Sequence, residues 1–433
     1  MAHLDPSIFT SDCRLEPYWW DRTPRRPRTI AALPEEVDVL IVGAGYTGLN
    51  TALVTARAGR STLVLDAEAA GHGCSSRNGG QISTSVKTPY DTLARRFGPD
   101  RAFRIVREGH ASLAFIGQLV GDEAIDCDFR ISGRFHAAHN QRAFEAQRQW
   151  IAAQPKGLEV RADLIDRTEQ HRELGTDVYY GGIVYHAHAA VDPARYHQGL
   201  LERVEAAGAT VASFTPATAI EAEGSARRVT TPHGSVRARD VVIATNGYTG
   251  TLTPWLRRRV IPIGSYMIAT EPLAPAVMDR LMPAGRVVSD TRKVVYYYRP
   301  SPDRSRILFG GRVSCNETDP AKSAPKLRAE LIRLFPELSG VRVSHSWCGT
   351  VAYTFDEVMH VGRHDGVWYA MGYCGSGVGM ASYLGMRLGQ QVLGLAEGKT
   401  AFDGLSFQTR PLYTGNPWFL APSLAWYRWK DAH

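Results

Sequence analysis

The sequence predicts an α/β fold with a parallel sheet, joined to a second domain that has a mainly antiparallel sheet. A strand, a glycine turn, a helix and a second strand follow one another within residues 37–65, which is the order of a βαβ unit. Between Ile261 and Val313 the pattern changes to alternating, Tyr-rich segments that are typical of antiparallel strands. The chain has 433 residues, and domains usually divide beyond about 250–300 residues.

The predicted βαβ unit has a distinct signal at each of its elements. Val37–Val42 is an apolar, β-branched run of strand length that ends at a glycine. Small and apolar residues recur at helical spacing over Thr47–Ala58, and Gly59 ends that helix. Ser61–Leu65 then has the composition of a second buried strand.

Further elements follow along the chain. Helices are predicted at Asp100–Leu119, Ala143–Gln154, Tyr196–Ala207 and Met380–Leu395. Strands are predicted within Gly208–Ile220 and at Arg239–Thr245, Ile263–Thr270, Val294–Arg299, Arg306–Phe309 and Val367–Met371. We predict an irregular N-terminal arm (1–36), a discontinuous nucleotide-binding domain (37–90, 175–260 and 340–400), a substrate-binding domain (91–174 and 261–339) and a C-terminal packing segment (401–433).

Composition narrows the classes of function. The net charge of +7 is spread along the chain, and no concentrated basic stripe predicts a nucleic-acid partner. The six cysteines form no CxxC pair, and no His/Cys cluster has metal-site spacing. No apolar run approaches the roughly 20 residues that span a bilayer, and no signal peptide is evident. We therefore expect no metal site, no transmembrane segment and a cytoplasmic location.

The turn after the first strand reads Gly43-Ala44-Gly45-Tyr46-Thr47-Gly48, a G-x-G-x-x-G pattern between a strand and a helix. Such glycines allow a tight turn, close approach of backbone to a pyrophosphate, and close helix–strand packing. Asp66 follows Gly43 by 23 residues, where a ribose-binding carboxylate is expected. The pattern predicts a bound dinucleotide, and at this point NAD and FAD both remain open.

Two more glycine-rich segments favour a flavin. Residues 71–81 form a non-periodic loop with four glycines, a composition that fits close approach to a large ligand and a flexible surface loop equally well. Residues 372–379 form a second glycine-rich turn that leads into a helix, whose N-terminus stabilises negative charge. A reduced flavin carries negative charge around N1 and the C2 carbonyl, which matches such a helix end.

Seven segments together resemble one known family. They are Asp38–Leu49, Ser75–Ile82, Val241–Gly250, Val294–Pro300, Ile307–Arg312, Ser346–Arg363 and Gly372–Met380. These segments resemble the D-amino-acid-oxidase-type superfamily of FAD-dependent amine oxidoreductases, and in particular its gamma-glutamylputrescine oxidase branch. They follow one another along the chain in the same order as in that superfamily. The resemblance implies a Rossmann-like FAD-binding domain of the glutathione-reductase type.

The resemblance also implies which residues contact FAD. The pyrophosphate and ribose would be bound at Gly43, Gly45, Tyr46, Thr47, Gly48 and Asp66. The loop residues Ser76, Arg77, Asn78, Gly79, Gly80 and Gln81 would run along the pyrophosphate and the isoalloxazine. Backbone near Thr218 would contact the adenine, and Thr245, Asn246 and Gly247 would close over the cofactor. Gly375, Ser376, Gly377 and Val378 would hold the pyrimidine end of the ring.

Two positions depart from relatives that oxidise sarcosine. Some of those attach the flavin to a Cys that would align with Gly349, one residue from Cys348, so we expect non-covalent FAD. They also place a Lys over the flavin where this chain has Leu308. The missing Lys leaves molecular oxygen and an electron carrier both open as the acceptor.

The shared chemistry is hydride removal from the carbon next to an amine, which favours an aromatic-lined pocket over a catalytic triad. Tyr266, Tyr296, Tyr298 and Trp347 are the predicted lining residues, and Arg312 is a candidate for binding a carboxylate. Tyr297 should face away from Tyr296 and Tyr298 because side chains alternate along a strand. Simple packing in the sheet is the alternative for each of these tyrosines.

The leading hypothesis is an amine oxidase that gives an aldehyde or oxo acid and hydrogen peroxide. Its substrate would be a gamma-glutamyl polyamine or an amino acid. The alternatives are an amine dehydrogenase that passes electrons to a quinone or carrier, an NAD-dependent dehydrogenase, and a non-catalytic flavin-binding protein.

Overall fold

A computed structural model describes residues 4–25, 27–29, 32–311 and 319–432. Its strands are β1 Phe9–Arg14, β2 Glu36–Val42, β3 Thr62–Leu65, β4 Gln81–Ile82, β5 Arg134–Ala137, β6 Ala162–Ile165, β7 Gly182–Tyr185, β8 Ala189–Ala190, β9 Thr210–Ala212, β10 Ala219–Glu223, β11 Ala226–Thr231, β12 Gly234–Ile243, β13 Val260–Thr270, β14 Val287–Asp290, β15 Tyr296–Pro300, β16 Ile307–Gly311, β17 Val343–Thr354, β18 His360–His364 and β19 Val367–Met371. Its α-helices are α1 Tyr18–Arg22, α2 Tyr46–Arg57, α3 Tyr90–Phe97, α4 Pro99–Asp122, α5 Gln141–Ala152, α6 Pro193–Ala206, α7 Pro254–Arg257, α8 Pro275–Leu281, α9 Pro320–Leu334, α10 Gly377–Val392 and α11 Leu420–Ala432.

The first sheet contains the predicted parallel strands. Strands β9, β3, β2, β12 and β19 pair in parallel in that order, and their carboxyl ends therefore lie along one edge. One face of this sheet packs in a core with residues of α2, α4, α6 and α10. A second core on the opposite face includes the antiparallel β11–β12 pair. The βαβ prediction is confirmed by β2, α2 and β3.

The second sheet has nine strands in the order β1-β17-β13-β16-β15-β14-β5-β7-β6. Its neighbours pair antiparallel except for β1–β17 and β14–β5. Helices α8 and α9 pack on one face in an apolar core that includes Ile268, Tyr298 and Phe309. The other face of its central strands is turned toward the first sheet. The fold class predicted from the sequence is thus the one observed.

The N-terminal arm is more regular than predicted. Strand β1 joins the edge of the nine-stranded sheet through β17, and α1 places Trp19 in a fully buried position. Trp19 packs with Met267, Leu308 and Trp347, because the arm covers part of the sheet that α8 and α9 leave open. The irregular composition of this segment did not predict its short strand and its helical turn.

Other predictions differ in detail. The helix α9 was not predicted, since Pro325 lies inside it. The C-terminal packing segment stays a prediction: Phe402, Phe407 and Tyr413 are buried in the cores, whereas Trp418, Trp426 and Trp429 are each more than half exposed. The predicted domain limits stay a prediction: β7 and β17 fall in ranges assigned to the nucleotide-binding domain, yet both pair within the nine-stranded sheet. Within the described residues, no helix is long and apolar enough to cross a membrane.

Helices α2 and α10 touch closely through glycines. A Cβ on Gly385 would lie 2.5 Å from the carbonyl oxygen of Thr47, and one on Gly389 would lie 2.8 Å from Cβ of Val54. The hydroxyl of Thr51 donates to the carbonyl oxygen of Gly385 at 2.8 Å. Small residues at these two turns therefore set how closely the helices approach.

We predict that Gly385→Ala destabilises the folded protein by about 1–3 kcal/mol, because the added methyl group overpacks the contact between α2 and α10. The free energy of unfolding in urea measures the effect. The matched control is Gly121→Ala near the end of α4, where an added Cβ meets nothing within 4 Å. Equal stability of the two variants would contradict the prediction.

Candidate active site

One large cavity of about 1070 Å³ lies between the two sheets. It begins at the carboxyl ends of β2, β3 and β12, where Gly43, Asp66 and Thr245 line it. It continues to the open face of the nine-stranded sheet, where Met267 and Tyr297 line it. In α/β sheets, ligands bind at the carboxyl ends of parallel strands. The volume matches or exceeds the roughly 300–1,000 Å³ of pockets for drug-sized ligands, which leaves room for a dinucleotide and a substrate.

The glycine turn after β2 is packed too closely for other residues. Gly43 has φ +109°, and a Cβ on Gly48 would lie 1.9 Å from the carbonyl oxygen of Gly43. A Cβ on Gly45 would lie 2.9 Å from Oγ of Ser75. Gly45 is also the N-cap of α2 and has no side chain to cap it, although Oγ of Ser75 accepts a hydrogen bond from the backbone N–H of Tyr46 at 3.0 Å. The turn thus presents the N-terminus of α2, with its positive dipole end, to the cavity.

Asp66 supports the same turn from the end of β3. Its carboxylate accepts hydrogen bonds from the backbone N–H of Ala44 at 2.8 Å and of Glu68 at 3.0 Å. Burial raises the pKa of Asp66 above its ordinary value, whereas those hydrogen bonds oppose the rise. The carboxylate is therefore fixed in orientation where it borders the cavity.

A second helix N-terminus reaches the cavity from α10. Ser376, Gly377 and Val378 line the cavity, and no side chain caps this helix. The hydroxyl of Tyr373 lies 2.6 Å from Oγ1 of Thr47, which links the turn before α10 to the first turn of α2. Two positive helix ends therefore border one cavity and are held side by side.

The loop of residues 74–80 forms another wall, held by buried side chains. The indole N–H of Trp347 donates to the carbonyl oxygen of Arg77 at 2.7 Å, and that of Trp19 donates to the carbonyl oxygen of Asn78 at 2.9 Å. The fully buried Arg299 donates to the carbonyl oxygen of Gly80 at 2.9 Å. Gly80 has φ +64°, and a Cβ there would lie 2.1 Å from the carbonyl oxygen of Val191.

Most residues predicted to contact the cofactor line this cavity. They are Gly43, Gly45, Tyr46, Thr47, Asp66, Arg77, Asn78, Gly79, Gln81, Thr218, Thr245, Asn246, Gly375, Ser376, Gly377 and Val378. Four predicted residues do not line it. Gly48 and Gly80 are the packing positions described above, Ser76 is buried and donates to the carbonyl oxygen of Gly71, and Gly247 packs on the backbone of Thr350.

The tyrosines chosen for the substrate pocket lie on the wrong face of the sheet. Tyr266, Tyr296 and Tyr298 are buried in the apolar core that α8 and α9 cover. Their neighbour Tyr297 lines the cavity instead, and its hydroxyl lies 2.7 Å from Oγ of Ser265. The alternation along β15 was predicted, but the face that α8 and α9 cover was not visible in the sequence.

Trp347 and Arg312 are the other two residues predicted for the substrate pocket. Trp347 shares the open face with Met267, but the loop of residues 74–80 covers it, so it supports the loop rather than lining the pocket. Arg312, the candidate for binding a carboxylate, lies outside the described residues.

Strand register defines the floor of the cavity. His136, Ser289, Tyr297, Gly310 and Met267 lie opposite one another across five neighbouring strands. A Cβ on Gly310 would lie 2.4 Å from the ring of Tyr297, so the glycine leaves room for the ring to lie across the sheet. Arg134, His136 and Ser289 were missed by the sequence analysis. The apolar–polar alternation in β5 could have indicated two of them.

Cys348 and Leu308 both lie away from the cavity lining. Gly349 lines the cavity, whereas Cys348 packs against the core under the sheet. The thiol of Cys74 occupies the space beside Gly349, since a Cβ there would lie 2.9 Å from its sulfur. Burial raises the pKa of the Cys74 thiol to about 11. Leu308 is fully buried with Trp19 and Trp347.

Comparisons with known proteins identify the family. The model of the family described as "FAD dependent oxidoreductase" (DAO) matches residues 38–391. The chain belongs to the DAO family of FAD-dependent oxidoreductases. It is 32% identical over 373 residues to the gamma-glutamylputrescine oxidoreductase of Escherichia coli K12, with 85% of this chain and 86% of the relative covered. It is 31% identical over 427 residues to the probable oxidoreductase OrdL of Rhizobium meliloti, with 95% and 97% covered.

Solved structures of this DAO-family fold include the glycine oxidase of Geobacillus kaustophilus. That structure superposes with a TM-score of 0.73 at 19% identity, covering 87% of this chain and 99% of its own. FAD, the cofactor of the family, fits the donors found here. Two helix N-termini whose N-cap residues make no side-chain cap suit its negatively charged groups, and the crowded positions Gly48 and Gly80 keep backbone close to the cavity.

We predict that Gly48→Ala lowers the FAD content of the purified protein severalfold, because the methyl group would push α2 away from the turn at Gly43. The ratio of flavin to protein absorbance measures the loss. Gly340→Ala is the matched control, since a Cβ there meets nothing within 4 Å. A Gly48→Ala protein with full flavin content would show that this close contact is not needed for FAD binding.

Proposed function

We propose that FAD lies along the whole cavity, from Asp66 to Tyr297. Gly43, Gly45 and the N-terminus of α2 would hold the pyrophosphate, and Asp66 would hold the adenosine ribose. The backbone near Thr218 would contact the adenine. The supporting observation is that Gly43, Gly45, Asp66, Thr218 and Tyr297 all border one continuous space.

The isoalloxazine would lie between the loop at Arg77–Gly79 and the N-terminus of α10. Gly375–Val378 would hold the pyrimidine end of the ring, where a helix dipole stabilises negative charge. Thr245, Asn246 and Gly247 would close over the cofactor from the end of β12. We also propose that the cofactor is bound non-covalently, because Cys348 packs under the sheet and not at the cavity.

We propose that the protein oxidises a primary or secondary amine, either a gamma-glutamyl polyamine or an amino acid. Bound FAD supplies the acceptor for the hydride that leaves the carbon next to nitrogen. Hydrolysis of the resulting imine gives an aldehyde or oxo acid and releases the nitrogen as ammonia or an amine. The observation that carries this proposal is the continuity of the FAD cavity with the floor formed by His136, Ser289, Tyr297 and Met267.

The chain's own groups favour the neutral form of the amine, which the reaction requires. Burial in the cavity disfavours an ammonium ion because its charge loses hydration. Arg134 and Lys87 also line the cavity, and their positive charges disfavour the ammonium form of the amine. Asp290 borders the same floor, but it is fully buried and ion-paired with Arg292. The substrate therefore gives its ammonium proton to solvent and binds as the neutral amine, without a dedicated base.

Tyr297 is proposed to position the substrate. Its ring lies across Gly310, and its hydroxyl is held near Ser265. The ring edge also approaches Gly79, since a Cβ there would lie 3.1 Å from it. A ring fixed on both sides offers the substrate a rigid apolar surface beside the loop that would carry the flavin.

We propose molecular oxygen as the electron acceptor, with hydrogen peroxide as its product. A quinone or a carrier protein is the second candidate. Leu308 favours this second candidate, since some oxidases of this family place a Lys over the flavin near this position. Leu308 is itself uncharged and fully buried, and its cross-strand neighbour Arg299 donates to the carbonyl oxygens of Gly80 and Val191.

The decisive experiment is an anaerobic reduction of the purified holoprotein with polyamines, gamma-glutamyl amines, N-methyl amino acids and D-amino acids. We expect the yellow flavin to bleach with at least one amine and to recover when air is admitted, with release of peroxide. Bleaching without recovery in air would indicate that an electron carrier, and not oxygen, accepts the electrons. Failure of every amine to bleach the flavin would overturn the proposed function.

A further inference from the structure

A guanidinium group without an acidic partner lines the floor of the cavity at Arg134. Within the described part of the chain, Arg134 forms no ion pair, and its buried Nε has no hydrogen-bond partner. Arginine stays charged in proteins. A charge held inside a cavity without a counter-ion is costly, and a bound anion relieves that cost.

The nearby carboxylates are already occupied. Asp290 on β14 pairs with Arg292, and Glu173 pairs with Arg286 at 2.7 Å. Asp163 on β6 lies 2.7 Å from the ring of His186. None of them compensates Arg134, so its charge remains available to a ligand.

Aromatic packing holds the guanidinium in place. Cζ of Arg134 lies 5.0 Å from the ring centroid of Tyr185, and that ring stacks on His188 with an interplanar angle of 11°. Trp150 also packs edge-on against the Tyr185 ring. A guanidinium fixed by stacking loses little conformational entropy when it binds a planar anion.

The two histidines beside Arg134 add no positive charge. Burial, together with the charge of Arg134, lowers the pKa of His136 to about 3 and the pKa of His188 well below its ordinary value. Both rings are therefore neutral at physiological pH. His136 is held by Oγ of Ser289 at 3.0 Å, and His188 by Oγ1 of Thr84 at 3.2 Å. The anion site thus has one positive charge, with neutral donors around it.

The position of Arg134 sets its distance from the reacting centre. Strand β14 separates β15 from β5, and neighbouring strands lie about 4.8 Å apart. His136 lies opposite Tyr297 and Arg134 is two residues farther along β5, so Arg134 lies roughly 12 Å across the sheet from Tyr297. An α-amino acid carries its carboxylate on the carbon that is oxidised. A carboxylate at Arg134 must instead be joined to that carbon by a chain of several atoms.

We propose that Arg134 binds a carboxylate at the far end of the substrate. The substrate is then a long amine with a remote carboxylate, as in a gamma-glutamyl derivative of a diamine. This inference rests on the proposed amine oxidation, because it takes the reacting carbon to lie beside Tyr297 and Gly79. It assigns the specificity for such amines to one residue on β5.

The test uses two amines that differ only at the remote end. One is 1,4-diaminobutane carrying a gamma-glutamyl group, and the other carries a neutral acetyl group in its place. Anaerobic flavin reduction is followed over a range of concentrations for the wild-type holoprotein and for Arg134→Gln. We expect Arg134→Gln to raise the half-saturating concentration of the gamma-glutamyl amine roughly 10- to 100-fold, and that of the acetyl amine less than twofold.

Two further variants serve as controls. Arg134→Lys keeps the charge but not the bidentate geometry, so it should restore only part of the affinity. Arg142→Gln removes an equal charge from the exposed surface of α5 and should change nothing. Equal effects of Arg134→Gln on both amines, or no effect on either, would overturn the role of Arg134.

A separate measurement distinguishes failure of this inference from failure of the proposed function. Glutarate carries carboxylates but no amine, and its binding is followed by the change in flavin absorbance without turnover. Tighter binding to the wild type than to Arg134→Gln supports the anion site even if no amine reduces the flavin. Equal or absent binding overturns it, whatever the amines do.

Discussion

The close contact between α2 and α10 is the constraint on which the cavity depends. Gly385 and Gly389 let the two helices meet backbone to backbone, and the link between Thr47 and Tyr373 aligns their first turns. Both N-termini consequently face the same space, although more than three hundred residues separate them in the chain. Larger residues at these glycines would separate the two sites of positive potential.

The opposite wall depends on how the nine-stranded sheet is covered. Helices α8 and α9 bury one face, and the N-terminal arm with the loop of residues 74–80 covers part of the other. What remains open is a row that includes His136, Ser289 and Tyr297, together with Arg134. The floor of the cavity is therefore defined as much by the segments that cover the sheet as by the strands themselves.

Charge is distributed differently at the two ends of the cavity. At the glycine turns it comes from backbone dipoles at two helix ends, which suits an extended cofactor with several negative groups. On the floor it comes from one guanidinium whose neighbours are neutral rings or paired carboxylates. This asymmetry supports the proposed division of one space into a cofactor region and a substrate region.

The sequence by itself determined the βαβ unit, the class of cofactor and many of the residues that line the cavity near the glycine turns. Those signals are local, because a glycine turn between a strand and a helix needs only neighbouring residues to specify it. The sequence also determined that Tyr297 and Tyr298 face opposite ways, since alternation is a property of one strand. Only the tertiary structure decided which of the two lines the cavity, because the answer depends on α8 and α9 covering one face of the sheet. For the same reason Arg134 was missed: its lack of a counter-ion depends on which distant carboxylates have already found partners.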